Sequence, residues 1–222
     1  MMPFSKPKRN KFRKKTDSNA IKPGAKAINA RQSGQIRIIA GKHKGRKLPV
    51  RMVEGLRPTG DRTKETLFNW LMHDIVDARV LDLFAGAGSL GFEAYSRGAK
   101  SVLMVEMDKA NAKQLEENRL QLQTGSSVEV HCDDALLFCK KLSAEVSESP
   151  PFDIVFIDPP FSKHLALKAI TQLFDNRLLQ HGSLVYLETE HGISLDATLA
   201  SKLSLLREKA TQQASIRLFR VK

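Results

Sequence analysis

Leu-Asp-Leu-Phe-Ala-Gly-Ala-Gly-Ser-Leu-Gly, residues 81–91, is the segment from which the architecture can be inferred. Its apolar first half is typical of a buried strand, and the residues that follow have the apolar spacing of a helix. Gly86, Gly88 and Gly91 form the pattern G-x-G-x-x-G between the two. Glycines at such a turn let the backbone approach a nucleotide-like ligand. The segment therefore predicts a strand–turn–helix unit with a ligand at the turn.

Strands and helices alternate on the carboxyl side of this turn. Strands are predicted at residues 80–84, 101–107, 128–131, 154–157 and 184–188, with helices at 90–97, 110–122, 135–142 and 165–173 and a short helix after the fifth strand. Buried strands that alternate with amphipathic helices form parallel sheets covered on both faces. We therefore predict an α/β fold with a Rossmann-like, doubly wound, mostly parallel seven-stranded sheet. Segments 203–208 and 215–221 are expected to pair antiparallel at its C-terminal edge.

The chain before the glycine turn has a different pattern. Apolar residues alternate on both sides of the basic turn 41–45, which predicts a short β-hairpin. A helix follows, for which Asp61 or Thr63 is the expected N-cap. The predicted division is a disordered basic arm at 1–34, a hairpin extension at 35–60 and the main domain at 61–222.

The net charge of +12 is the first indication of a partner, because a strongly basic chain attracts polyanions. Residues 1–34 hold ten Lys and Arg against Asp17 and lack hydrophobic periodicity. This arm could bind nucleic-acid phosphates or be a solubilising tail. The basic turn, with Lys42, His43, Lys44, Arg46 and Lys47, could face RNA or be a solvated turn. No apolar run approaches 18 residues, so no membrane contact is expected.

Acidic residues stand where a doubly wound fold places ligand contacts. Glu106 ends the second predicted strand, 20 residues after Gly86, where an acid can accept hydrogen bonds from ribose hydroxyls. Asp134 follows the third strand and could contact an adenine amine or cap the next helix. Asp82 would repel a pyrophosphate, which weighs against an NAD-dependent oxidoreductase. The sulfonium and ammonium groups of S-adenosylmethionine fit an acidic site better.

The most specific motif is Asp-Pro-Pro-Phe at residues 158–161, directly after the fourth predicted strand. The Asp158 carboxylate and the Pro159 carbonyl can accept both protons of an exocyclic amine and direct its lone pair outward. Phe161 can stack on an extruded base. A Pro-Pro loop with a helix-capping Asp is the alternative. The motif predicts transfer of a group to a base amine without a metal or a covalent enzyme intermediate, so Cys132 and Cys139 are expected to be ordinary reduced thiols.

These motifs resemble those of S-adenosylmethionine-dependent amino-methyltransferases of the Asn/Asp-Pro-Pro-aromatic type. Segments 36–41, 45–50, 56–62 and 65–71 are similar to the bacterial family of 16S rRNA methyltransferases that modify N2 of guanine 966. The resemblance covers about residues 35–222. It implies methyl transfer to a guanine N2 of small-subunit rRNA, within an assembled or partly assembled particle, by a monomeric cytoplasmic enzyme.

The motifs and the resemblance together predict which residues form the site. The expected catalytic residues are Asp158, Pro159 and Phe161. The residues expected to bind S-adenosylmethionine are Asp82, Phe84, Ala85, Gly86, Gly88, Glu106, Met107, Asp134, Ala135, Asp158 and, by resemblance alone, Thr59 and Arg62. Pro160 joins the basic turn as an expected RNA contact. The alternatives are a DNA adenine-N6 methyltransferase and a non-catalytic RNA-binding assembly factor.

Overall fold

The computed structural model describes residues 1, 33–51, 60–145, 150–161, 165–212 and 214–222. Their strands and helices in chain order are β1 (Ser33–Arg37), β2 (Lys47–Arg51), α1 (Asp61–Trp70), β3 (Arg79–Asp82), α2 (Ser89–Ser96), β4 (Ser101–Glu106), α3 (Lys109–Gln121), β5 (Val128–Cys132), α4 (Ala135–Glu145), β6 (Phe152–Ile157), α5 (Leu165–Asp175), β7 (Leu179–Thr189), α6 (Ala197–Lys202), β8 (Leu203–Ala210) and β9 (Ser215–Val221). A 3₁₀ turn, Gly125–Ser127, precedes β5.

The central sheet has seven strands in the order β5-β4-β3-β6-β7-β9-β8. The strands from β5 to β7 in this order are parallel, and β9 pairs antiparallel with both β7 and β8. From β3, the chain adds β4 and β5 on one side and β6 and β7 on the other. The strand order therefore reverses between β3 and β6. Ligands bind at such a reversal, beyond the carboxyl ends of the strands. The predicted doubly wound sheet with antiparallel C-terminal strands is confirmed.

Helices cover both faces of this sheet with separate apolar clusters. On one face, the Phe68 ring of α1 meets Phe156 of β6 edge-on, with 5.9 Å between ring centroids. Phe156 in turn meets Tyr186 of β7 at 6.2 Å. On the other face, Ile170 and Leu173 of α5 are buried in a second cluster. Burial of each large apolar side chain contributes about 1.5–3 kcal/mol to folding.

The hairpin of β1 and β2 is attached to α2 through a buried acid. Glu93 is 1% exposed, and its carboxylate accepts hydrogen bonds from the amides of Ile39 and Ala40 at 2.7 and 3.0 Å. Arg97, one turn later, donates to the same carboxylate at 2.7 Å. The apolar residues of the hairpin, Ile36, Ile38, Leu48 and Val50, lie in the core cluster that contains Phe68. The hairpin therefore shares a core with the sheet.

Gly41 allows the turn of the hairpin to lie directly against the end of α2. Its φ of +81° belongs to the left-handed region, and a Cβ built on it would stand 1.7 Å from the carbonyl oxygen of Ser96. The Lys42 amide donates to that carbonyl at 2.8 Å, and the His43 amide donates to the Ser96 hydroxyl at 3.0 Å. Only glycine fits here, because both the backbone angle and the space exclude a side chain.

Some boundaries differ from the predicted ones. Strand β1 begins at Ser33, inside the predicted arm 1–34, of which residues 2–32 lie outside the described residues. Gly60 is the N-cap of α1 in place of Asp61 or Thr63, because Asp61 instead pairs with Arg37 and Lys64. Strand β7 starts five residues earlier than predicted, at Leu179. Its polar first half hides the strand pattern and pairs with β6 through a register shift.

Among the described residues, no helix combines the length and the apolar character that crossing a membrane requires. The two cysteines are free thiols, with Cys132 exposed and Cys139 buried.

Candidate active site

A cavity of about 780 Å³ opens at the carboxyl ends of β3, β4, β6 and β7. Its volume falls within the range of small-molecule sites, about 300–1,000 Å³. It is lined by Gly60, Arg62, Thr63, Asp82, Leu83, Phe84, Ala85, Gly86, Ala87, Ser89, Leu90, Val105, Glu106, Met107, Asp133, Asp134, Ala135, Asp158, Pro159, Pro160, Phe161, Leu165, Glu188, Thr211 and Gln212. The cavity therefore lies beyond the carboxyl ends of the strands, at the position where the strand order reverses.

The glycine turn between β3 and α2 forms one wall of the cavity. Gly86 and Gly88 have φ values of +53° and +77°. A Cβ on Gly88 would stand 2.6 Å from side-chain atoms of Leu115 and Phe92. The glycine at this position thus satisfies packing within the protein as well as the backbone angle of the turn.

Glu106, at the end of β4, is hydrogen-bonded to that turn. Its Oε2 accepts from the Gly86 amide at 2.8 Å, and its Oε1 accepts from the Asp108 amide at 2.8 Å. The half-buried carboxylate lines the cavity. Each carboxylate oxygen has a second lone pair, so Glu106 can hold the turn and accept a ligand hydroxyl at the same time.

Asp82, at the end of β3, is 2% exposed. Its Oδ2 accepts from the Gly91 amide at 2.9 Å. Burial and, to a smaller extent, nearby Glu106 raise the pKa of Asp82 to about 7 against the opposing effect of the Gly91 hydrogen bond. The carboxyl group binds the third glycine of the motif and therefore fixes the start of α2 against β3.

Asp134 caps α4 at the far end of the cavity. Its Oδ1 accepts from the amides of Leu136 and Leu137, both at 2.9 Å. The helix-cap alternative is therefore present in the structure, in a residue that also lines the cavity.

The Asp-Pro-Pro-Phe motif lies at the carboxyl end of β6, opposite the glycine turn. Asp158 is half-buried, Pro159 is buried, and Pro160 and Phe161 are exposed. All four line the cavity. This arrangement brings an acceptor pair and an aromatic ring to the same space as the glycine turn and Glu106.

Two further groups stand beside this motif at the end of β7. The Tyr186 hydroxyl donates to Glu188 Oε2 at 2.7 Å. Burial raises the pKa of Tyr186 well above its usual value, and the neighbouring Glu188 and Asp158 carboxylates add to the shift. Burial likewise raises the pKa of Glu188. Tyr186, Glu188 and Asp158 form one polar cluster. Glu188 and Asp158 line the cavity, whereas Tyr186 lies behind them.

The cavity is acidic although the chain is basic. Among the described lining residues, six carry carboxyl groups and Arg62 alone is basic. Such a site favours a cationic ligand over the pyrophosphate of a dinucleotide. The described residues contain no group of three or more His, Cys, Asp and Glu that could hold a metal ion.

Ser89 is a polar group of this cavity that has no hydrogen-bond partner among the described residues. It is 5% exposed at the first position of α2, and its hydroxyl makes no hydrogen bond to the described residues. Buried polar atoms are normally hydrogen-bonded. The Ser89 hydroxyl is one of the exceptions among the described residues.

The basic turn lies near the amino ends of the parallel strands, opposite the cavity. Helix α2 begins at the cavity with Ser89 and ends beside the start of β3, where the Asp77 amide donates to the Gly98 carbonyl. Eight residues of helix span about 12 Å. Lys42 lies over the Tyr95 ring at 3.5 Å from its centroid, and His43 stacks on the same ring. Burial, with Lys42 and Arg46 nearby, lowers the pKa of His43.

The structure therefore brings most of the predicted site together. The predicted cofactor-binding and catalytic residues all line the cavity, apart from Gly88 within the turn and Thr59, which lies outside the described residues. Pro160 lies in the cavity too, away from the basic turn. In that turn, Lys44, Arg46 and Lys47 are exposed, whereas His43 is packed on Tyr95.

Sequence reasoning missed Ser89 and Glu188. Ser89 lies inside the glycine motif and could have been noticed as its polar member. Glu188 ends the strand that follows Asp158 in the chain, and a carboxylate at that strand end was the available signal.

Comparisons with known proteins agree with this geometry. A family model described as conserved hypothetical protein 95 matches residues 36–220. A Haemophilus influenzae protein named ribosomal RNA small subunit methyltransferase D is 49% identical over 187 residues, which are 84% of this chain and 94% of that protein. The Escherichia coli K12 protein of the same name is 44% identical over 194 residues, or 87% and 94% of the two chains. A solved Escherichia coli structure described as a methyltransferase has a TM-score of 0.74 and 42% identity, and covers 85% of this chain and 99% of that chain.

Proposed function

This chain belongs to the family described as conserved hypothetical protein 95, and we propose that it transfers the methyl group of S-adenosylmethionine to N2 of a guanine, of the position-966 type, in 16S rRNA. The family resemblance found in the sequence is confirmed by this match. The observation that carries the proposal is the meeting of Asp158-Pro159-Pro160-Phe161 with the glycine turn and Glu106 in one cavity.

The cavity fits S-adenosylmethionine in charge and in hydrogen-bonding groups. Six carboxyl groups line it, and the ligand carries an ammonium and a sulfonium group. Glu106 offers lone pairs for ribose hydroxyls, and the Asp134 carboxylate would accept a hydrogen bond from the adenine amine. When bound, S-adenosylmethionine supplies an electrophilic methyl group.

The residues around Asp158 would prepare the base amine. The lone pair of an exocyclic amine is delocalised into the ring, which makes the nitrogen a poor nucleophile. Acceptance of its two protons by the Asp158 carboxylate and the Pro159 carbonyl disfavours the planar amine and exposes the lone pair. Phe161, 40% exposed and lining the cavity, would stack on the extruded base.

The RNA substrate is supported by charge as well as by the relatives. Lys44, Arg46 and Lys47 form an exposed basic surface on the hairpin, and the relatives carry the name of rRNA methyltransferases. Contacts from such residues to phosphates would contribute to binding through counterion release. The proposal implies a cytoplasmic enzyme, since its substrate is the small ribosomal subunit or a precursor of it.

The test is labelled-methyl transfer from S-adenosylmethionine by the full-length chain to small-subunit particles, naked rRNA and duplex DNA in parallel. Products are digested to nucleosides and identified by mass and by chromatographic comparison with standards of the positional isomers. N2-methylguanosine from an RNA substrate is the expected product. N6-methyladenine from DNA would favour the DNA methyltransferase alternative, and no transfer to any substrate would contradict the proposal.

A further inference from the structure

We propose that Glu188 recognises the Watson–Crick edge of the target guanine by accepting a hydrogen bond from N1–H, so that it determines base specificity. The inference rests on the proposed function and adds to it a residue that none of the motifs contains. It follows from the register of β6 and β7, from the hydrogen bond that holds the side chain, and from the chemistry of the base.

The register places Glu188 beside Asp158. Ile157 of β6 pairs with Leu187 of β7 in parallel, so the next residues of the two strands are Asp158 and Glu188. Neighbouring strands lie about 4.8 Å apart, and alternation turns both side chains to the face that carries Phe156 and Tyr186. Both residues line the same cavity. A base amine held by Asp158 would therefore present its flanking ring atoms to Glu188.

Tyr186 fixes the carboxylate of Glu188 in place. Its hydroxyl, in a fully buried side chain, donates to Oε2 at 2.7 Å. The carboxylate lines the cavity and keeps further lone pairs for a ligand donor. The hydrogen bond also opposes the rise in the pKa of Glu188 that burial causes. Tyr186 acts as a positioning residue in this arrangement, since it does not line the cavity itself.

The chemistry of guanine matches an acceptor beside the amine site. Guanine has a donor at N1, next to the N2 amine, whereas adenine and 2-aminopurine have an acceptor at N1. A carboxylate is an acceptor only, so Glu188 can pair with N1–H while Asp158 and Pro159 hold the amine. In a base with an acceptor at N1, that nitrogen would face the Glu188 carboxylate with no proton between them. A buried site discriminates strongly against a base that leaves its polar groups unpaired.

The start of α1 and the loop between β8 and β9 contribute to the same cavity. Gly60, Arg62 and Thr63 line it from α1 and the residue before it, and Thr211 and Gln212 line it from the loop.

The test exchanges the donor and acceptor pattern on both sides. Small-subunit particles are reconstituted with RNA that carries either guanine or 2-aminopurine at the mapped target position. 2-Aminopurine keeps the amine at C2 but has an acceptor at N1. The Glu188→Gln variant offers one acceptor and one donor, which complements 2-aminopurine better than guanine.

The wild-type chain is expected to prefer guanine over 2-aminopurine by about 10-fold or more in kcat/KM, and Glu188→Gln to lower that preference by at least about 10-fold. Calorimetric affinity for S-adenosylmethionine should stay within about 3-fold of wild type, which establishes that the variant is folded. Glu208→Gln, at an exposed position of β8, is the matched control and should keep the wild-type preference.

A purely structural Glu188 would behave differently. The inference is overturned if Glu188→Gln loses activity equally on both bases, or if it keeps the wild-type preference for guanine. If the wild-type chain forms no N2-methylguanosine, the proposed function itself is overturned and the inference falls with it. These outcomes differ in the wild-type reaction, so one failure cannot be mistaken for the other.

Discussion

The carboxylate of Glu106 accepts a hydrogen bond from the amide of Gly86, 20 residues earlier in the chain, at 2.8 Å. The bond joins the end of β4 to the glycine turn after β3. The turn is therefore held in shape by the same carboxylate that faces the proposed ribose position. Loss of Glu106 would affect the turn and the ligand contact together.

Glu106→Gln is expected to weaken S-adenosylmethionine binding by about 10-fold or more. An amide oxygen accepts, but its NH₂ end faces the Asp108 or Gly86 amide, so one donor loses its partner. Isothermal calorimetry measures the effect. Glu117→Gln, on the exposed side of α3, is the control and should bind as wild type does. Equal affinities for all three proteins would contradict the role of Glu106.

Asp158→Ala is expected to lower kcat about 10²–10³-fold, because it removes one acceptor for the base amine. Affinity for S-adenosylmethionine should change little, and Asp158→Asn should lose less activity because its amide oxygen still accepts. Single-turnover methyl transfer to small-subunit particles gives the rates. Normal transfer by Asp158→Ala would remove Asp158 from the catalytic residues.

Gly41→Ala is expected to destabilise the chain more than Gly45→Ala. Both glycines have positive φ, at +81° and +83°, so each substitution costs about 1–2 kcal/mol in backbone energy. A Cβ at Gly45 meets nothing within 4 Å, whereas one at Gly41 collides with the Ser96 carbonyl. We expect an additional loss of about 2 kcal/mol or more in the free energy of unfolding for Gly41→Ala. Urea denaturation provides the comparison, and equal losses would show that the hairpin can move off α2 without cost.

Asp82 should make the protein less stable as the pH rises from about 4 to about 7. Its pKa in the folded chain, about 7, lies above the ordinary value of 3.8, so the folded state binds more protons than the unfolded state in this window. The resulting loss in the free energy of unfolding is on the order of 2–4 kcal/mol, and no further loss is expected from Asp82 above about pH 7. Urea denaturation at pH 5 to 8 should show a smaller decline for Asp82→Asn than for wild type. Asp175→Asn, at an exposed carboxyl group, should follow wild type, and an unchanged slope in Asp82→Asn would refute the shift.

The site could be predicted in the places where it is local in sequence. The glycine turn, Glu106 and Asp158 each follow a strand directly, and parallel strands end at one edge, so their meeting follows from the fold class alone. The fold was predictable for the same reason, since apolar strands and amphipathic helices alternate at short range.

The parts that sequence did not reveal depend on distant pairings. Glu188 becomes a neighbour of Asp158 only through the register of β6 and β7. Glu93 reads as a polar residue of α2, yet it is buried because its partners, the amides of Ile39 and Ala40, come from a hairpin more than 50 residues earlier. The start of β7 is polar along its exposed residues, so hydrophobic alternation could not mark it.

Helix α2 connects the two surfaces that the proposed reaction needs. Its first residue, Ser89, lies in the cavity, and its last, Ser96, holds the basic turn through Lys42 and His43. The helix is therefore a spacer of constant length, and the separation between the phosphate contacts and the reacting base is set by its eight residues. An RNA that touches both ends must match that separation in its own folded shape. Selection among the many guanines of an rRNA can then depend on the distance between a backbone segment and a flipped base, in addition to the identity of the base.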